Sequence, residues 1–125
     1  MKIDSEYGKI ILRISLSLVF LWFGINQVID PGSWTGLVPS FFLALFSAKT
    51  VVLLNGSMEI IFGLMMISGT YLRFSSFVLG LHLFGIAFSL WYSAIAIRDF
   101  GLAFATISLF FLGPDKLCFD SYRRA

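Results

Sequence analysis

Apolar residues run for about 20 positions at a time along this chain, and polar residues gather at the breaks. At 1.5 Å per residue, a helix of about 20 residues crosses the roughly 30 Å hydrocarbon core. The first such run extends from Ile10 to Ile29 and closes at Asp30-Pro31-Gly32. The second extends from Val51 to Thr70, with Arg73 just beyond it. The stretch between them, SWTGLVPSFFLALFSAKT, is too short and too interrupted to cross. Its Trp34, Phe41, Phe42 and Phe46 predict a helix in the interface or a re-entrant turn. Residues 73 to 113 hold two more spans and a tight turn. A third span carried on to Ile97 would leave the fourth only about 15 residues, too few to cross. The expected spans are therefore 73–93 and 94–113, with Trp91 and Tyr92 as an interfacial belt and Pro114 ending the last helix.

The expected fold is all-α, an integral membrane four-helix bundle forming one transmembrane domain over residues 1–125. Composition agrees: 58% of residues are hydrophobic and 13% charged, and mean hydropathy is +0.92, against about 25% charged in soluble domains. These residues leave no room for a separate soluble catalytic domain. No small-x-small cleavage pattern follows the first apolar run, which reads as a retained span. A net charge of +2, scattered along the chain, excludes nucleic acid as a partner and leaves the lipid bilayer as the first one. With one cysteine, Cys118, and one histidine, His82, the chain has neither the paired thiols of an exchange enzyme nor a cysteine–histidine metal site.

Lysine and arginine set the expected orientation. One side collects Lys2, Lys9, Arg13, Arg73, Lys116, Arg123 and Arg124, the other only Lys49 and Arg98. Both termini are expected to be cytoplasmic, with the long first loop outside. Arg13 is expected to snorkel to the cytoplasmic headgroups.

Ionisable residues inside a span cost about 2.5–3.5 kcal/mol each on insertion scales and mark functional positions by default. Counted from the outer ends, Asn26 and Gln27 lie roughly 3–5 Å deep, Asn55 about 6 Å, Glu59 about 12 Å, Arg98 and Asp99 about 6–8 Å, and His82 roughly 16 Å. Glu59, Asn55 and Gly63 share one stripe, His82 shares another with Ser75, Gly85 and Ser89, and Asp99 a third with Ala103 and Thr106. These faces are expected to point inward. Glu59, Arg98, Asp99, Asn55, His82 and Gln27 are the candidates for ligand binding or proton relay. The plain alternatives are a structural Glu59–Arg98 ion pair and a His82 that only packs. Trp22 reads as an interfacial anchor, and Met65 and Met66 as core or lipid surface. Gly24, Gly56, Gly63, Gly80 and Gly85 would let helices approach closely.

Four stretches carry a resemblance: LRISLSLVFLWFGINQV, NGSMEIIFGLMMISGTYLR, IAIRDFGLAFATISL and GPDKLCFD. In order and spacing they resemble the DoxX-like family of small four-helix membrane proteins over nearly the whole chain. The sharper pieces are Gly56, Glu59, Gly63 and Leu64, and the run from Arg98 to Leu102. The resemblance implies a four-helix bundle in a prokaryotic plasma membrane, in a family named for a subunit linked to quinone-dependent sulfur oxidation. It carries over Glu59, Arg98 and Asp99. Many relatives have a lysine near the outer end of the first helix, where this chain has Gln27, so that cation is missing.

Three functions fit this reading. In the first, the chain is an oxidoreductase subunit whose polar pocket binds a quinone or similar lipophilic molecule. It has no recognisable cofactor site of its own, so electron transfer would need a redox partner protein. In the second, the same pocket carries a small solute or lipid without catalysis, and four helices would then call for a homo-oligomer. In the third, the chain is a scaffold or assembly subunit with a structural polar core.

Overall fold

The computed structural model describes residues 4–90 and 93–123. Lys2, Trp91, Tyr92 and Arg124, used above for orientation and the interfacial belt, lie outside them. The described residues are helical, with no strand. Helix α1 spans Ser5–Ile29, α3 Ala48–Ser68, α4 Leu72–Ser89 and α5 Ala94–Leu112, and all four are long and apolar enough to cross a membrane. Between α1 and α3 lie a 3-10 helix, Pro31–Leu37, and the short helix α2, Ser40–Leu43; helix α6, Phe119–Arg123, follows the last span.

The first helix starts five residues before the expected Ile10, because the Asp4 carboxylate caps it by accepting from the Glu6 N–H. Helix α3 likewise starts earlier than Val51, with Ser47 accepting from the Thr50 N–H. The third span ends at Ser89 rather than near 93, and Ser93 opens α5 by accepting from the Ala96 N–H. Gly69, at a left-handed φ of 72°, ends α3. Its own N–H bonds the Met66 carbonyl and the Thr70 N–H bonds that of Met65, as a Schellman stop requires.

The helices assemble as two close pairs. Helix α1 lies on α3 where Gly24 meets Gly56: a Cβ on Gly24 would fall 2.8 Å from the Gly56 carbonyl oxygen. Helix α4 lies on α5, with Gly80 against Ile107, and Gly63 receives Leu21. These contacts are the small-residue approaches that drive association in lipid. Gly85 is different. Nothing lies within 4 Å of a Cβ placed there. The two pairs meet through Leu16, Phe20, Met66, Leu79, Leu83, Ala103 and Leu109. Large apolar side chains such as Leu18, Trp22, Leu54, Ile61, Leu81 and Phe104 point outward, where lipid would cover them.

The start of α1, the segment after α5 and the α3–α4 turn share one end of the bundle and are tied together there. Arg13 does not snorkel. It is 2% exposed, and its guanidinium clasps Asp115 through Nε at 2.8 Å and Nη2 at 3.3 Å. Nη1 also donates to the Met66 carbonyl, which it shares with the Gly69 N–H, and to the Ile67 carbonyl at the C-terminus of α3. A carboxylate and two carbonyls brought by the folded chain replace the lipid headgroups that snorkelling would have sought. Burial pushes the Asp115 carboxyl up, but the Arg13 hydrogen bond, the Leu117 N–H, the Arg13 charge and the Cys118 thiol together outweigh it. The group is held below its ordinary 3.8. Asp120 caps α4 from the C-terminal segment, accepting from the Tyr71 and Leu72 N–H groups at 2.8 Å each. Tyr71 can thereby hold a φ of 47°. Cys118 is fully buried against Gly69.

Candidate functional site

Toward the other end the two helix pairs separate, and a cavity of about 480 Å³ lies between them. That is within the 300–1,000 Å³ usual for small-molecule sites. Helix α1 contributes Leu16, Val19, Phe20, Phe23 and Gln27; α3 contributes Val51, Val52, Asn55 and Glu59; α4 contributes His82, Leu83, Gly85, Ile86 and Ser89. Helix α5 adds Ile95, Arg98, Asp99 and Leu102. The connecting segment folds over the open end with Trp34, Leu37, Val38, Pro39, Phe41 and Phe42. Trp34 is held by an edge-on contact with Phe23, ring centroids 5.5 Å apart. The segment expected in the interface or as a re-entrant turn thus forms one wall of the cavity.

All six residues singled out from the sequence line this space. Glu59 sits among three of them. Asn55 Nδ2 donates to Gln27 Oε1 at 2.7 Å and to Glu59 Oε1 at 3.3 Å, and Gln27 Nε2 donates to Glu59 Oε2 at 3.4 Å. His82 Nε2 stands 3.4 Å from Glu59 Oε1. That is close enough for an ion pair but not aligned as a hydrogen bond, and Nε2 is buried without a hydrogen-bond partner. Every contact to the carboxylate is therefore long, against 2.7–2.9 Å for an ordinary charge-assisted bond. Yet Glu59 is only 3% exposed.

The meeting of Glu59 with His82 follows from the observed helix ends. With α3 starting at Ala48, Glu59 lies roughly 16 Å from that end, and with α4 stopping at Ser89, His82 lies roughly 10 Å in. His82 is shallower, and Glu59 deeper, than their expected positions.

Glu59 and Arg98 do not form a pair. Arg98 belongs to the first turns of α5, near the mouth of the cavity, and its side chain is 58% exposed; its ion-pair partner is Asp99 at 3.6 Å. Asn26 turns away, donating to the carbonyl of Trp22 in its own helix. Ser75 is buried near the opposite end of α4, bonded to the Leu72 carbonyl, so its stripe divides. Of that stripe, His82, Gly85 and Ser89 line the cavity. Asp99, Ala103 and Thr106 all face inward as expected.

The sequence reading missed the aromatic and aliphatic walls, Phe20, Phe23, Leu83 and Leu102 among them. Nothing in an apolar run marks which of its phenylalanines face a void rather than lipid or core. Trp34 carried a signal as an interfacial aromatic, though not its place over the cavity.

Four apolar helices around a half-open polar-floored cavity define a small polytopic membrane protein. Residues 8–91 match the DoxX family model, and the chain belongs to the DoxX family. The match covers the first three spans and the connecting segment, and it ends before the Arg98–Leu102 run. No curated protein matches the chain, and no solved structure does.

Proposed function

We propose that the protein is a membrane-embedded binding subunit for a lipophilic ring compound with hydrogen-bonding oxygens, of the quinone type, and that it supports a membrane oxidoreductase through a partner protein. The observation carrying this reading is Glu59: a buried carboxylate held only by long contacts, at the floor of an apolar and aromatic cavity. A buried acid so weakly satisfied keeps acceptor capacity for a further partner. The walls of Phe20, Phe23, Trp34 and Phe42 suit a flat ring, and Gln27, Asn55, Glu59 and His82 would meet its oxygens. Such a ring would supply the two-electron, two-proton chemistry when bound. The chain's own residues enclose it, exclude water and offer proton-exchanging groups.

On this reading the bundle resides in a prokaryotic plasma membrane, with the lysine- and arginine-rich end that carries both termini on the cytoplasmic side. The cavity then opens toward the outer half of the bilayer.

A second reading has its own observation. The Gln27–Asn55–Glu59 hydrogen bonds tie α1 to α3, and polar bridges of this kind also hold membrane helices together in scaffold subunits. Mass spectrometry of lipophilic molecules extracted from protein purified in mild detergent separates the two. Near-stoichiometric quinone, lost on Glu59→Gln, is the expected result. Bulk lipid alone, in ratios indifferent to that substitution, would favour the scaffold.

A further inference from the structure

The Glu59–His82 contact constrains where protons sit. His82 Nε2 faces Glu59 Oε1 at 3.4 Å. If Nε2 presented its lone pair, two acceptors would oppose each other in a low-dielectric interior, and they would repel. A proton on Nε2 turns the same contact into an attraction. The amides enforce this, because both are turned toward the carboxylate: Gln27 Nε2 and Asn55 Nδ2 each donate to it, which is how an ionised, acceptor-only Glu59 is surrounded. The other ring nitrogen, Nδ1, has no hydrogen bond to the described residues, and the His82 side chain, 22% exposed, lines the cavity.

We infer that Glu59 fixes His82 as the Nε2–H tautomer and so makes His82 Nδ1 the proton-exchanging atom of the cavity, an acceptor for a hydroxyl ligand when neutral and a donor to a carbonyl ligand when protonated. This deepens the quinone-type reading and rests on it. The carboxylate acts through its charge at 3.4 Å, selecting electrostatically the tautomer that a hydrogen bond at the second nitrogen sets in other histidines. The remaining groups leave the assignment to this pair. Among the described residues, helix α1 brings only the neutral Gln27 as a polar group, and the connecting segment brings no titratable side chain to the wall. Helix α5 brings Arg98 and Asp99, which are paired with each other.

Proton binding and ligand binding are then linked with opposite signs. A carbonyl ligand favours the protonated imidazole, so its affinity falls as pH rises. A hydroxyl ligand favours the neutral ring, so its affinity rises. One linked proton changes either dissociation constant by up to about tenfold per pH unit.

The test has two arms. His82 is the only histidine, so imidazole-¹⁵N labelling of the full chain in nanodiscs gives a single-site spectrum. The expected spectrum shows a proton on Nε2 throughout pH 5.5–8.0, with any further proton bound at Nδ1, and a mixture of tautomers in Glu59→Gln. A bare Nε2 in the unsubstituted protein would overturn the inference. In the second arm, 1,4-naphthoquinone and 1-naphthol are titrated over the same pH range. Opposite slopes that flatten in His82→Gln are expected, and flat or parallel slopes in the unsubstituted protein overturn the linkage. If neither probe binds at any pH, the quinone-type reading itself falls, and the imidazole spectrum still decides the tautomer.

Discussion

The two ends of this bundle hold the same ingredients in opposite states. At one end Arg13 and Asp115, each at most 2% exposed, meet through a two-point guanidinium–carboxylate clasp with further bonds to carbonyls. At the other, Glu59 is almost as deeply buried yet touches its partners only at 3.3–3.4 Å, beside empty space. Burial of a charge is thus not itself a sign of function. A buried charge anchored by short bonds, as Asp115 is by Arg13 Nε at 2.8 Å and the Leu117 N–H at 2.9 Å, holds the fold together; one with only long bonds and an adjoining cavity has capacity left for something else.

The largest expected effect belongs to the clasp. Asp115→Ala or Arg13→Ala leaves a buried charge without its partner and should cost about 3–5 kcal/mol, read as a fall in the thermal midpoint in detergent. Acid should reach the same contact. Because the Asp115 carboxyl is held below 3.8 by Arg13 and its other donors, its contribution is complete above the unfolded value and is lost only as pH falls through the lower folded value. Acid unfolding should therefore begin below about pH 4, and Asp115→Asn should remove that component.

Next come the glycines of the tight contacts. Gly56→Ala drives a methyl to 2.9 Å from the Gly24 carbonyl oxygen and the Gln27 Cβ, an overpacking expected to cost about 1–3 kcal/mol. Gly69→Ala meets Cys118 Cβ at 2.4 Å and must also adopt a left-handed φ, worth about 1–2 kcal/mol before the clash is counted. Thermal midpoints check both.

The four spans and the inward stripes were legible in the sequence because a bilayer demands long apolar runs and punishes stray polar groups. Gln27, Asn55, Glu59 and His82 could be singled out as polar groups inside spans, but their counted depths, roughly 3 to 16 Å, did not bring Glu59 and His82 to one level; the observed helix ends did. Arg13 could not be read correctly, since its partner lies 102 positions away and a lone arginine near a span end looks like one reaching for headgroups. Arg98 failed for a related reason. Depth along the membrane places two residues at similar levels, but it does not say which way each side chain turns. The starts of α1 and α3 were displaced because a capping side chain, Asp4 or Ser47, decided them rather than hydropathy.

At the cavity end the expected stability changes are small. Glu59→Gln keeps the shape and removes a loosely held charge, so the thermal midpoint should move by no more than about 1 kcal/mol equivalent while ligand retention is lost. Arg98→Gln replaces the exposed partner of the buried Asp99 by a neutral donor and should cost about 1 kcal/mol. Gly85→Ala meets nothing within 4 Å. It should be neutral within about 0.5 kcal/mol and narrow the cavity, which competitive displacement of a bound ring compound would register.

The most direct test of the account measures thermal midpoint and bound lipophilic ligand on the same preparations of Glu59→Gln and Asp115→Asn. The account predicts that the two separate: Glu59→Gln loses ligand and keeps its midpoint, and Asp115→Asn loses midpoint and, while folded, keeps ligand. A Glu59→Gln protein that unfolds as readily as Asp115→Asn, with no ligand in the unsubstituted chain, would make both ends structural and contradict it.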